Sequence, residues 1–302
     1  MIEVSGLTMA YGKVKALDGV SFNVQDGKVV GFVGVNGAGK TTTIKIAAGV
    51  LTPTLGTVKV NGKDIRKDKV EASKTIGWVP ELPNYEQDVR AADYFKYIAG
   101  YYGISGQKTK ELQANLFEQL GLSGQEKKKL RDYSRGMKKR FALAVSLLDN
   151  PTNYLMDEVL NGLDPQGIAF FREKTVEFKK EGKAVLFSSH VLSEVQSIAD
   201  EVIFIHRGKI IAVKTINEIT SSPKIASARV VLANPDSRAK ELLGKFGDVN
   251  EIGQGIYEVV NFSGATEDLN AELVKAGYRV SGIEKVGESL ESYFFNLIGE
   301  QK

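Results

Sequence analysis

The 302-residue sequence contains no cysteine. That excludes a disulfide framework and any thiolate metal site, and it fits a reducing compartment. It also lacks any apolar run of about 18 residues, so no segment is expected to cross a membrane as a helix. The opening MIEVSGLTMAYG has no basic region followed by an apolar core, and does not read as a signal peptide. Charge of one sign is scarce as well: the net charge of +3 gives no ground to expect a nucleic-acid partner. What is present is a hydrophobic fraction of 42%, enough for a real core, and a length that suggests two domains.

Glycine, by contrast, is crowded at one place. In GVNGAGKTT (34–42), Gly34, Gly37 and Gly39 precede Lys40, Thr41 and Thr42. Glycine costs roughly 0.5–1 kcal/mol relative to alanine inside a helix or strand, so the cluster needs a reason. Val29, Val30, Phe32 and Val33 before it read as a buried strand. Ile44, Ala47, Ala48 and Leu51 after it are spaced along one face of a helix. The glycines therefore fall in a strand-to-helix turn, where G-x-x-x-x-G-K-[ST] is complete from Gly34 to Thr41. In such a loop, here Gly34, Val35, Asn36, Gly37, Ala38 and Gly39, main-chain N–H groups cradle phosphate oxygens and the helix dipole adds to them. Lys40 reaches the β- and γ-phosphates, and the Thr41 hydroxyl binds Mg²⁺.

The surrounding chain reads as α/β. Residues 1–30 suggest short alternating strands, with Val20, Phe22 and Val24 on one face. GTVKVNGKDI signals a hairpin turning at Asn61-Gly62. Together these predict an antiparallel β section beside a mostly parallel core. From about 89 to 150, helical spacing predicts a helical insertion. NYLMD (153–157) and AVLF (184–187) read as buried strands, with a helix between them. Ser, Thr and Pro cluster at 218–227, which reads as a linker. It separates a first domain, 1–217, from a second, 228–302, whose βαββαβ order plus a last helix predicts a small ferredoxin-like α+β domain.

Asp157 and Glu158 follow the strand NYLM, at the edge where ligands bind in open α/β sheets. Asp157 is placed to hold Mg²⁺, and Glu158 to orient or deprotonate the water that attacks the γ-phosphate. His190 follows another buried strand and can hydrogen-bond the γ-phosphate or that water. His206 falls in a hairpin and is read as an ordinary histidine. In DYSRGMKKR, Ser134 reads as an N-cap, and Gly136 leaves the backbone open at a second helix N-terminus, a second potential anion site. Two copies facing each other would use both sites.

In this order, the motifs resemble those of the ATP-binding subunits of ABC transporters, from about residue 2 to 217. GVNGAGKTT matches Walker A, NYLMDE matches Walker B, and FSSHVLSEV matches the switch-histidine region. Tyr11 matches the aromatic that stacks on adenine. YSRGMKKR matches the signature motif, and NGLDP matches the D-loop through Asp164. IGWVPELPNYE matches the Q-loop, with Glu81 in place of glutamine and near Mg²⁺.

The resemblance implies a P-loop NTPase fold, ATP and Mg²⁺ as cofactors, Glu158 as catalytic base and His190 as its switch. It implies two ATPase subunits, identical or not, stacked so that Ser134, Gly136 and Met137 of one face the ATP of the other. It also implies a separate membrane permease and a cytoplasmic location on the membrane through that permease, with no nucleic-acid partner. Arg135 and Met137 depart from the common signature, and with Glu81 they resemble the subgroup related to drug-resistance exporters, which suggests export. Val159-Leu160 stand where the family has proline-threonine. The C-terminal segment resembles an accessory domain.

The rival class is a non-transport ABC ATPase of DNA repair or translation. Long coiled-coil repair types separate Walker A from Walker B by hundreds of residues, and translation types usually carry two cassettes. Here Lys40 and Asp157 lie 117 residues apart (157 − 40) in one cassette. A P-loop GTPase would carry N-K-x-D, which is absent, and neither a GTPase nor a small-molecule kinase needs the signature or the switch histidine.

Overall fold

The computed structural model describes residues 1–220, 227–260, 262–286 and 289–299. They divide into two compact units, Met1–Val213 and Lys214–Lys302.

The first unit opens with β1 (Ile2–Tyr11) and β2 (Val14–Val24), which pair antiparallel. They are longer than the short strands the sequence suggests. Gly6 and Gly19 do not end them; the pairing between the two strands instead shifts register and continues, as at β-bulges. Next come β3 (Val29–Val33), α1 (Lys40–Ala47), β4 (Leu55–Val60) and β5 (Lys63–Asp64). The β4–β5 turn is Asn61-Gly62, with φ of 50° and 77°, as a tight primed turn requires. The antiparallel sheet runs β2-β1-β4-β5.

After α2 (Lys69–Ser73) and β6 (Ile76–Val79), the chain is helical through α3 (Ala91–Tyr101), α4 (Gly106–Gln119) and α5 (Arg135–Ser146). These helices pack around Phe141, whose ring lies 5.2–6.5 Å from those of Tyr85, Tyr94, Phe95, Phe117 and Tyr133. The chain then forms β7 (Asn153–Met156), α6 (Pro165–Lys180), β8 (Ala184–Ser188), α7 (Leu192–Ile198), β9 (Glu201–His206) and β10 (Lys209–Thr215). The second sheet runs β10-β9-β3-β8-β7-β6, and β9, β3, β8, β7 and β6 are mutually parallel. Strands β3, β7 and β8 are buried at every residue, as expected of parallel strands covered on both faces. One apolar core joins both sheets and α1, with Val4, Leu7 and Phe22 packed in the same cluster as Phe32, Ile44, Leu155 and Leu186.

The second unit begins earlier than the sequence suggests. Of the expected linker 218–227, residues 218–220 complete α8 (Ile216–Thr220), Ser227 already starts β11 (Ser227–Leu232), and 221–226 lie outside the described residues. Helix α8 packs on the last helix of its own unit, so the Ser/Thr content of this segment does not make it a free linker. The unit continues with α9 (Ser237–Leu243), β12 (Asp248–Gly253), β13 (Ile256–Val260), α10 (Thr266–Lys275), β14 (Val280–Val286) and α11 (Leu290–Gly299). Its sheet, β12-β13-β11-β14, is antiparallel throughout, which is the ferredoxin-like strand order. Val230, Tyr257 and Val259 of the sheet pack on Ala239, Leu243, Leu269 and Leu273 of two helices.

Candidate active site

Three neighbouring parallel strands, β3, β8 and β7, end side by side. The turns beyond their carboxyl ends carry Gly34–Lys40, Ser188–His190 and Asp157–Glu158 respectively. Residues far apart in the chain are thus brought to one edge by strand pairing alone.

The glycines of the first turn answer different demands. A Cβ on Gly34 would lie 2.4 Å from the Ile205 carbonyl oxygen, so β9 leaves no space for a side chain. Gly37 has open space around it, but its φ is 79°. Gly39 meets both limits, with φ of 114° and a would-be Cβ 2.6 Å from Leu17.

Lys40 starts α1 and is buried. Its ammonium donates to the Gly34 carbonyl at 2.7 Å and the Val35 carbonyl at 3.4 Å, and lies 3.5 Å from Glu158 Oε1. Thr41 Oγ1 donates to Asp157 Oδ1 at 3.1 Å, and Ser188 Oγ donates to the same oxygen at 2.8 Å. Asp157 Oδ2 is buried with no hydrogen-bond partner. Burial holds the Asp157 carboxyl above the usual carboxylate range, against the opposing hydrogen bonds from Ser188 and Thr41. An anionic oxygen left bare beside a threonine hydroxyl fits a hard, oxygen-seeking cation such as Mg²⁺. Among the described residues no group of three or more His, Asp and Glu could hold a metal. A cation here would have to complete its shell with phosphate oxygens and water, which is the usual habit of Mg²⁺.

Glu158 is buried and has φ of 45°, unusual for a residue with a side chain. Its N–H donates to Ser188 Oγ at 2.8 Å. His190 Nδ1 lies 3.0 Å from Glu158 Oε2, and Asn161 Nδ2 donates to that oxygen at 3.1 Å. An ionised carboxylate only accepts, so the imidazole proton in this contact belongs on Nδ1. Val159 and Leu160, the departures from the family pattern, are buried, and anchor the turn that returns Asn161 towards Glu158.

Other expected site residues stand apart from this cluster. Ser134 caps α5, accepting from the Met137 N–H at 3.2 Å. Gly136 lies within α5, one residue past its start, and a Cβ there would meet the Gly162 carbonyl oxygen at 2.7 Å. Its lack of a side chain thus also serves packing inside this chain. Asp164 caps α6, accepting from the Gly167 N–H at 2.9 Å, and pairs with Arg140, which holds its carboxyl below the usual range. Tyr11 ends β1 and is half exposed. The Glu81 side chain is exposed, while its carbonyl oxygen is bound by Lys139. His206 ends β9 at the hairpin turn. Among the described residues, no hydrogen bond or ion pair joins Ser134, Gly136, Met137 or Tyr11 to the Lys40–Asp157–Glu158 cluster.

Sequence reasoning missed three contributors. Ser188 lies inside the quoted FSSH, and Asn161 inside NGLDP, but neither residue type announces its role without the fold. Lys139 did leave a signal. It shares the buried stripe of α5 with Ala142, Leu143 and Ser146, and lysine is rarely found there. Burial lowers its pKa to about 8, partly offset by the carboxylates of Asp157, Glu81 and Glu158.

The family model described as "ABC transporter" matches residues 17–161. The bacitracin transport ATP-binding protein BcrA of Bacillus licheniformis is 34% identical, over 99% of this chain and 97% of its own. The lantibiotic transport ATP-binding protein SrtF of Streptococcus pyogenes is 36% identical over 214 residues, which is 71% of this chain and 90% of that one. Among solved structures, an ATP-binding subunit of an ABC transporter is 28% identical with a TM-score of 0.68, covering 73% of this chain and 92% of that one.

Proposed function

This chain belongs to the ABC transporter family, as an ATP-binding and ATP-hydrolysing subunit that drives transport, and from that premise we propose how its residues divide the work. The observation that carries the proposal is the convergence of Lys40, Thr41, Asp157, Glu158 and His190 at the ends of three paired strands.

The main-chain N–H groups of residues 35–42 cradle the phosphates, and Tyr11 stacks on the base. Lys40 gives up its carbonyl partners to neutralise the β- and γ-phosphates, and in doing so frees Glu158 Oε1. Thr41 and Asp157, with Glu81, would hold Mg²⁺, and the ion would neutralise charge on the phosphate oxygens. Glu158 takes the proton of the attacking water. His190 and Asn161, both on Oε2, hold that carboxylate so that Oε1 faces the water.

A second ATPase subunit supplies Ser134, Gly136 and Met137 across the nucleotide, and Asp164 lies at the same contact. Support comes from their separation from the Lys40 cluster within one chain, together with the exposed cap at Ser134. A separate membrane permease carries the cargo, since among the described residues no helix is long and apolar enough to cross a membrane. The subunit then works at the cytoplasmic face, through that permease. The relatives named for bacitracin and lantibiotic transport favour export of a peptide antibiotic. The second unit, Lys214–Lys302, acts as an accessory domain.

Light scattering tests the sandwich. Glu158→Gln should form a dimer with ATP and remain a monomer with ADP, because closure no longer ends in hydrolysis. Adding Ser134→Asp should abolish that dimer by setting a carboxylate against the γ-phosphate. Aspartate caps a helix as well as serine, so α5 keeps its start. Gly136 is unsuited to this test because any Cβ would strike Gly162. A monomer of Glu158→Gln in ATP contradicts pairing between identical copies.

A further inference from the structure

We propose that Lys139 is a positioning residue for hydrolysis: from the helix that begins at Ser134 it fixes the peptide plane from which the Glu158 carboxylate is aimed. The inference rests on Glu158 as the base.

Lys139 lies one turn past the α5 cap and is 3% exposed. An ammonium has three N–H donors. Each meets a main-chain oxygen: Pro80 at 2.9 Å, Glu81 at 2.9 Å and Asp157 at 3.1 Å. These carbonyls lie just past the ends of β6 and β7, where the sheet ladder no longer satisfies them. Since all three acceptors are backbone, Lys139 fixes the path of the chain rather than a side-chain position.

The contact to Asp157 matters most. Its carbonyl oxygen and the Glu158 N–H belong to one planar peptide unit. Lys139 binds the oxygen at 3.1 Å, and Ser188 Oγ accepts from the N–H at 2.8 Å. That plane is gripped at both ends, and the next backbone angle is the φ of 45° at Glu158. Left-handed geometry in a residue with a side chain persists only when its surroundings enforce it. Releasing the oxygen lets the plane rotate and Glu158 relax, and its carboxylate then leaves the line to the water. Lys40, Thr41 and the Asp157 side chain are not part of this grip, so nucleotide binding should be spared. The grip also starts from the signature helix: Ser134 and Lys139 share one rigid element, so a shift at the α5 N-terminus reaches the 157–158 peptide directly.

The test is steady-state ATP hydrolysis by the full chain with Mg²⁺, for Lys139→Met, Lys139→Gln and, as control, Glu158→Gln. Lys139→Met keeps the bulk and removes the donors; Lys139→Gln keeps two donors without charge. For Lys139→Met, a fall in kcat of about tenfold to a hundredfold is expected, with KM for ATP changed by less than about threefold. Lys139→Gln should lie between it and the unmodified protein. A kcat within about twofold of normal in both variants, with Glu158→Gln inactive, overturns the proposal. So does a parallel loss of kcat and ATP affinity, which is the mark of a general structural role. If Lys139→Met does not fold, Lys139→Gln decides alone: lowered kcat at constant KM supports the grip, and unchanged kcat refutes it. Normal turnover in Glu158→Gln removes the base assignment, and with it this proposal, whatever Lys139 does.

Discussion

The two units of this chain bury different things. In Met1–Val213, Lys40, Lys139, Lys183, Asp64, Asp157 and Glu158 are all buried, alongside several buried hydroxyl and amide side chains. In Lys214–Lys302, Ser227 is the one buried polar residue among those described. Both units have ordinary apolar cores. Removing an ion from water costs several kcal/mol even after relaxation, so a fold rarely carries such groups without a use for them. Four of the six ions meet in one network. Lys40 touches Glu158, and Lys139 binds the Asp157 backbone and lies among the carboxylates, while Asp64 serves a turn at Arg66. Lys183 also lies outside it, over the Tyr154 and Phe178 rings and paired with Glu181, a local structural role. The contrast therefore places the buried charge in one corner of the first unit, the corner to which the proposed chemistry is assigned.

The harshest way to test the contrast is to remove one charge from the catalytic corner. Lys40→Ala takes away the counter-charge of the β- and γ-phosphates and removes the lysine partner of Glu158 Oε1. Truncating one member of a buried charge pair costs roughly 2–5 kcal/mol, so ATP affinity in calorimetry should fall by at least about thirtyfold. Unchanged affinity would remove the P-loop assignment.

A subtler change separates the cost of burial from its use. Burial raises the Asp157 pKa above its unfolded value near 3.8. A raised pKa favours folding below the unfolded value, and that contribution is lost as pH rises through the folded one. Once ionised, Asp157 therefore opposes folding. Asp157→Asn should raise the melting temperature of the nucleotide-free protein, by about 2–4 °C for each kcal/mol recovered, and abolish the Mg²⁺-dependent part of ATP binding. A lower melting temperature for Asp157→Asn would show that this carboxylate is held mainly for stability.

The smallest effect is expected from removing the second unit. A chain ending at Thr215 keeps all of β10 and omits α8, which packs within the second unit. Its ATP affinity should change by less than about twofold, the usual limit for independent regions. An insoluble product, or a large loss of affinity, would break the contrast.

Sequence alone carried the glycine turn, the acidic pair and the ferredoxin-like order, because each depends on local spacing. The Gly34–Thr41 pattern has a backbone reason that only glycine meets, and strand periodicity put Asp157, Glu158 and His190 just past buried strands. Tertiary contacts were hidden. Ser188 is one hydroxyl among many until β8 is seen between β3 and β7. Asn161 becomes a partner of Glu158 only after a buried turn. Gly136 reads as an open helix start, whereas the Gly162 carbonyl fills the space beside it. The division between units was missed by four residues because Ser and Thr suggested a loose segment where a short helix packs.

The most direct measurement is ATP binding and turnover by Glu158→Gln in one preparation. Glutamine keeps the shape and leaves Lys40, Thr41 and Asp157 in place, but cannot take a proton. The expected result is ATP affinity close to that of the unmodified protein, with turnover lower by about 10²–10⁴, a barrier increase of roughly 3–5 kcal/mol. Normal turnover in this variant would contradict Glu158 as the base and the reading of the buried corner built on it.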